Sequence, residues 1–172
     1  MINVTKSNFI SKIYFNKIYQ LIISIGKFEK KKVILDFGCG LGELKKINLK
    51  KKNKSKIINY DIIQKLSDVT KYNNLNFDTI VICQVLYLFK KKKIIMLLKK
   101  LKRQNKNLEI IVVYSTQSIV NRIFAFFLGH GNAHNNTVTT PEEERELLLN
   151  QCYLINEINY LNLFRIIMLK FK

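Results

Sequence analysis

Three glycines on alternate positions, Gly38, Gly40 and Gly42, follow the apolar run VILDF (33–37) and its acid, Asp36. Glycine at that density frees the backbone for left-handed conformations and lets another molecule approach the main chain closely. A strand-to-helix turn without a ligand usually manages with about one glycine, so three point to a binding loop. The dinucleotide fingerprint is G-x-G-x-x-G, whereas this loop reads G-C-G-L-G. Asp36 adds a charge argument. A carboxylate at the strand end repels a pyrophosphate and attracts a cation.

A ligand with a sulfonium and an ammonium meets both conditions. S-adenosylmethionine carries both cations and needs no phosphate cradle. Two further acids follow, Asp61 at the end of KIINYD and Asp68 in SDVT. The two histidines, His130 and His134, fall in the segment GHGNAHNNTVT (129–139), expected as a loop. Histidine is a base near neutral pH, which methyl transfer to an oxygen acceptor can use. Cys39, Cys83 and Cys152 are odd in number and lack C-x-x-C pairing, which argues for reduced thiols and against a zinc site. No metal is expected.

The elements that must position these residues follow from apolar periodicity. Ile10, Ile13, Tyr14, Ile18, Leu21, Ile22 and Ile25 recur at helical spacing over Asn8–Ile25. KKVILDF is a short apolar strand of the buried, parallel kind, and the glycine loop leads from it into a helix near Glu43–Leu49. Strands are expected at 56–61, 79–83 and 108–115, with a helix at 90–103. The span 62–70 has room only for a turn of helix and a stub of strand at Asp68–Val69. Ser118–Leu128 is expected to be helical and carries Phe124, Phe126 and Phe127. Thr140, Pro141 and Glu143 form a helix start with a capping box. CYLINEIN and NLFRIIMLKF close the chain as two strands. Strands alternating with helices make an α/β, doubly wound, mostly parallel sheet with helices on both faces. The short final connection makes the last strand antiparallel.

LDFGCGLGEL resembles the first motif of class I S-adenosylmethionine-dependent methyltransferases, close to the type 11-like domain. The resemblance covers roughly residues 30–170. It implies a single Rossmann-like domain, 1–172, with a helical lid at 1–28 and a core at 30–172. It also implies S-adenosylmethionine as cofactor. Asp36, Phe37, Gly38, Cys39, Gly40 and Gly42 are the cofactor loop in that likeness. Asp61, with Ile62 beside it, is similar to the acid that bridges the ribose hydroxyls. Asp68, with Val69, resembles the acid that holds the adenine amino group. FDTIVICQVLYLF is similar to the fourth motif, whose Cys83, Gln84 and Val85 lie along the cofactor. His134 sits where related enzymes carry a histidine. Asp78, at the far end of its strand, reads as structural.

The net charge is +18, yet 26 of the 30 basic residues are lysine, with four arginines. Arginine is the better fork for phosphates and base edges, so the excess reads as a solvated lysine coat. The clusters Lys30–Lys32, Lys50–Lys56 and Lys99–Arg103 precede strands, opposite the expected site. Methyl transfer to a small-molecule or lipid-type acceptor in the cytoplasm is therefore expected. No specific nucleic-acid site is expected, and peripheral contact with anionic membrane is left open. The alternatives are an RNA methyltransferase and a noncatalytic methyltransferase-like binding subunit. The first lacks a signature after the fourth-motif strand, where the chain reads CQVLYL. The second conflicts with the intact glycines and Asp61. Oligomeric state and methyl acceptor are open.

Overall fold

A computed structural model describes residues 9–30, 32–116, 118 and 137–172. Its elements run α1 (Phe9–Ile25), β1 (Val33–Phe37), α2 (Glu43–Lys50), β2 (Lys56–Tyr60), β3 (Thr79–Cys83), α3 (Lys91–Gln104) and β4 (Glu109–Ser115). After the undescribed stretch come α4 (Pro141–Gln151), β5 (Cys152–Tyr160) and β6 (Phe164–Phe171). The sheet order is β2-β1-β3-β4-β6-β5. The first four strands pair in parallel, and β6 runs antiparallel to both β4 and β5. The expected α/β architecture with a reversed last strand is the one observed.

The chain leaves β1 toward β2 on one side and returns past β1 to β3 on the other. The winding direction therefore reverses between β1 and β3. Crevices at such a switch point, beyond the carboxyl ends of the strands, are where open α/β sheets bind ligands. Here the glycine loop after β1 and Gln84–Val85 after β3 frame that crevice.

Both sheet faces are covered, which is why β1 and β4 are apolar along nearly their whole length. On one face α1 and α2 bury Ile18, Ile22 and Leu44 against Ile34, Val81, Ile111 and Val113. On the other, α3 and α4 bury Ile94, Leu98, Leu101 and Leu148 against Leu35, Ile80, Ile82 and Val112.

From Tyr14 onward α1 packs into the core, with Ile18 and Ile22 fully buried. One expectation changes. The stub of strand at Asp68–Val69 is absent; a 3-10 turn, Gln64–Leu66, precedes that position and β2 is the sheet edge. Too few residues separate Asp61 from Asp68 for a crossover helix and a further strand.

The amino edge is held by acids. Asp78 Oδ2 accepts from the Val33 N–H at 2.8 Å, joining β3 to β1, which is the structural role expected of it. Glu109 takes Lys32 at 2.6 Å and faces Lys170 at 3.8 Å. At the opposite edge, α4 begins with the expected capping box: Thr140 accepts from Glu143 N at 3.3 Å, and Glu143 accepts from Thr140 N at 2.9 Å. Thr140→Ala is expected to cost about 1 kcal/mol. Denaturant titration checks it, and an unchanged midpoint would show the cap to be idle.

Candidate functional site

At the switch point all three loop glycines have left-handed backbone, with φ of 76° at Gly38, 52° at Gly40 and 69° at Gly42. Their surroundings differ. A Cβ on Gly38 would lie 2.5 Å from Val85 Cγ2, and one on Gly42 would lie 2.7 Å from Asn59 Nδ2. A Cβ on Gly40 would meet nothing within 4 Å. Two glycines therefore serve the fold: Gly38 admits Val85 from the end of β3, and Gly42 starts α2 over Asn59. Only Gly40 turns bare backbone toward open space. Gly38→Ala should consequently destabilise the fold by several kcal/mol, combining overpacking with backbone strain. Gly40→Ala should cost roughly 1–2 kcal/mol of backbone strain alone while weakening ligand binding. Melting curves with and without ligand separate the two, and equal destabilisation would contradict the division.

The loop is tied to the end of β2. Gly38 N and Cys39 N both donate to Tyr60 O, at 2.7 and 3.2 Å. The carboxylate of Asp61 reaches across: Oδ2 accepts from Gly40 N at 3.1 Å and Oδ1 from Ile63 N at 2.9 Å. Ser67 Oγ accepts from Asp61 N at 2.6 Å and donates to Asp61 O at 2.8 Å, so the residue is fixed by its backbone too. Beside it Ile62 is 90% exposed, an apolar side chain displayed at the mouth.

Asp36 is buried at the end of β1, on the α1 face, with 3% of its surface exposed. Burial first, and the nearby Asp61 carboxylate second, push its pKa up to about 7. A buried carboxyl with a second carboxylate behind it is a site that lacks positive charge. Cys39 donates to Leu66 O at 3.3 Å, and burial holds its thiol protonated, with a pKa pushed up to about 12. Burial likewise raises the Cys83 thiol. Neither cysteine is a nucleophile at neutral pH.

Asp68 is exposed on the β2 side. Burial opposes its charge, but the Asn59 N–H and the Lys45 ammonium, both 2.8 Å from Oδ2, outweigh this and lower its pKa. Val69 beside it is half-buried. The structure thus pins Asp68 between β2 and α2, a few residues beyond Asp61.

The β3 side is strained at one residue. Gln84 has a left-handed backbone, φ 53°, and donates its N–H to Val113 O at 2.8 Å. Its side chain donates from Nε2 to Tyr14 Oη at 3.2 Å. Non-glycine residues in that conformation cost of order 1–3 kcal/mol and collect at functional edges. Burial raises the Tyr14 phenol to about 12, and burial, then the nearby Cys83 and Asp36, raise that of Tyr19 as well. These two tyrosines of α1 border the site, yet the sequence reading placed neither there. Their helical spacing signals core, and only the docking of α1 brings them to the carboxyl edge.

His130, His134, Phe124, Phe126 and Phe127, and the helix expected at 118–128, lie outside the described residues apart from Ser118, which is not helical. Among the described residues no cluster of His, Cys, Asp and Glu could hold a metal.

Comparison with known proteins adds the fold's relatives. No family model matches the chain, and no curated protein matches it in sequence. Solved structures do. A protein from Pyrococcus horikoshii superposes with a TM-score of 0.71 at 13% identity, over 94% of this chain and 91% of that one. Magnesium protoporphyrin IX methyltransferase from Synechocystis, solved with S-adenosylhomocysteine bound, gives 0.58 at 13% identity over 97% and 89%. The chain has the class I methyltransferase fold. A methyltransferase of calicheamicin biosynthesis, also solved with S-adenosylhomocysteine, gives 0.65 at 13% identity, and this chain spans 56% of its length. Within that fold the switch-point crevice, with Gly40, Asp61 and Asp36 around it, is the candidate site.

Proposed function

We propose that the protein transfers a methyl group from S-adenosylmethionine to an oxygen, nitrogen or carbon nucleophile on a small-molecule or lipid-type acceptor. The observation that carries this reading is Asp36, a buried carboxyl short of positive charge, set behind the open backbone of Gly40. Residues at the crevice fit such a cofactor. Asp61 retains lone pairs for two ribose hydroxyls, Ile62 offers an apolar face to the adenine, and Asp68 stands beyond it toward the amino group. Phe37, Gly38, Cys39 and Gly42 shape the loop, while Cys83, Gln84, Val85 and Val69 line its flanks.

When bound, the cofactor supplies an activated methyl on a sulfonium. The chain's own contribution is to position and to desolvate. Asp36, itself buried, balances the ligand's positive charge, and Asp61 fixes the nucleoside end. Alignment of acceptor and methyl in a closed crevice supplies most of the rate in such displacements. His134 is proposed as the base where the acceptor needs one.

The exposed lysines at Lys50, Lys51, Lys52 and Lys54 lie at the amino edge, away from the crevice. They favour salt-sensitive, nonspecific contact with anionic surfaces such as membrane over a dedicated RNA site. No helix of the described residues is long and apolar enough to cross a membrane. The test is a screen with methyl-labelled cofactor against metabolite, lipid and RNA pools. Label in a small molecule or lipid is expected. Label confined to RNA would overturn the acceptor class, and no label in any pool would favour a noncatalytic binding subunit.

A further inference from the structure

Two of the four arginines in a chain otherwise rich in lysine converge beyond the sheet's carboxyl edge, at a place the cofactor does not need. Tyr114 of β4 and Arg165 of β6 are paired across the ladder and point to the α4 face. Arg145, on the second turn of α4, comes down over them. With Thr116, Pro141 and Glu142 these residues line a cavity of about 140 Å³.

Glu157 of β5 orients both guanidiniums, accepting from Arg145 Nη2 at 3.1 Å and from Arg165 Nη1 at 3.2 Å. Other polar atoms at the cavity are left over. Among the described residues, Arg145 Nη1 is buried with no aligned hydrogen-bond partner, and so is the hydroxyl of Tyr114, a residue only 5% exposed. Burial raises the Tyr114 phenol, and Arg145 stands close enough to oppose this as a hydrogen-bonding neighbour would, but the pair is not aligned as a hydrogen bond. Buried donors without partners are rare in folded proteins and costly to leave so. Two such atoms at one cavity ask for an acceptor atom from outside the chain.

We propose that this cavity anchors a carboxylate on the methyl acceptor, a reading that rests on the function proposed above. Geometry supports the class. A planar carboxylate matches the guanidinium fork and can take the Tyr114 hydroxyl as a further donor. Two carboxylates, Glu142 at the rim and Glu157 behind, stand beside two guanidiniums, so the site tolerates a monoanion and disfavours a phosphate dianion. Position supports the role. β4 is the neighbour of β3, and strands lie about 4.8 Å apart, so a group held over β4 and β6 is roughly 5–10 Å from the end of β3. That reach separates a carboxylate from a nucleophile on one small molecule.

The experiment is calorimetric titration of benzoate, benzamide and phenyl phosphate into protein first titrated with S-adenosylhomocysteine. Benzoate is expected to bind about ten-fold or more tightly than either other probe, since only it supplies a charged planar acceptor. Arg145→Gln should abolish that preference and Tyr114→Phe should reduce it several-fold. Tyr114→Phe removes a single hydroxyl that has no aligned hydrogen bond and keeps the ring in place, so it keeps the test decisive if Arg145→Gln unfolds. Equal affinity for benzoate and benzamide, no benzoate binding, tighter phenyl phosphate, or intact preference in Tyr114→Phe would each overturn the subsite. Failure to bind S-adenosylhomocysteine in the first titration would instead sink the methyl-transfer reading, and benzoate selectivity would still decide the subsite.

Discussion

Replacing Asp61 with alanine is expected to weaken S-adenosylhomocysteine binding by at least about 100-fold, equivalent to about 2.7 kcal/mol. The carboxylate does two things at once. It is the acid proposed for the ribose hydroxyls, and hydrogen bonds to a charged acceptor are worth about 1.5–3 kcal/mol each. It also holds Gly40 N at 3.1 Å and Ile63 N at 2.9 Å, so its loss releases the open part of the glycine loop. β2 itself should survive, because Ser67 grips the Asp61 backbone independently of the side chain. Asp61→Asn is the sharper comparison. One of its two terminal atoms becomes an NH2 facing a backbone N–H, so it should bind nearly as poorly as alanine despite its shape. Calorimetry on both variants, with melting curves as a check on folding, decides the matter. Wild-type affinity in either would place the nucleoside elsewhere.

The second large effect concerns protons at Asp36. Its pKa rises from 3.8 in the unfolded chain to about 7 in the fold, because of burial and then Asp61. The folded state therefore prefers the neutral acid. That stabilisation is complete below the unfolded value and is lost as pH climbs through about 7, a swing of about 4 kcal/mol. Asp36→Asn should accordingly stabilise the ligand-free protein at pH 8 and change little near pH 4. Glu144, raised to about 8 by burial and then by Glu142, tilts stability the same way, so the variant must be compared with wild type at each pH.

A cationic ligand reverses the preference at Asp36. Binding below pH 7 should expel a proton, and affinity should grow by up to about ten-fold per pH unit until it levels near 7. Calorimetry in buffers of differing ionisation enthalpy reads that proton directly. Binding heats that ignore the buffer at pH 6, with no gain in stability for Asp36→Asn at pH 8, would remove Asp36 from the ligand's surroundings.

What could be read from the sequence was local chemistry. Thr140, Pro141 and Glu143 specify a helix start by their own hydrogen bonds. VILDF followed by glycines specifies a strand leading into a tight loop. Asp61 was legible because it ends a strand that must lie beside that loop. The rest depends on which elements meet. The three glycines look alike in sequence, but Val85 and Asn59 claim two of them, and only docking shows that Gly40 alone faces open space. The stripe of α1 does not say which surface it meets, and only the fold shows Ile18 and Ile22 buried against the sheet. Tyr114, Arg145 and Arg165 are far apart along the chain, and no periodicity brings them to one cavity. Gln84 carries no sequence mark of a left-handed backbone, which its tie to Val113 imposes.

The central claim is that the switch-point crevice takes S-adenosylmethionine and not a dinucleotide. Its most direct test is paired calorimetric titration of the purified protein with S-adenosylhomocysteine and with NAD. One site per chain for S-adenosylhomocysteine, with no measurable heat from NAD, is the result expected from Asp36, Gly40 and Asp61. Saturable NAD binding with no response to S-adenosylhomocysteine would contradict it.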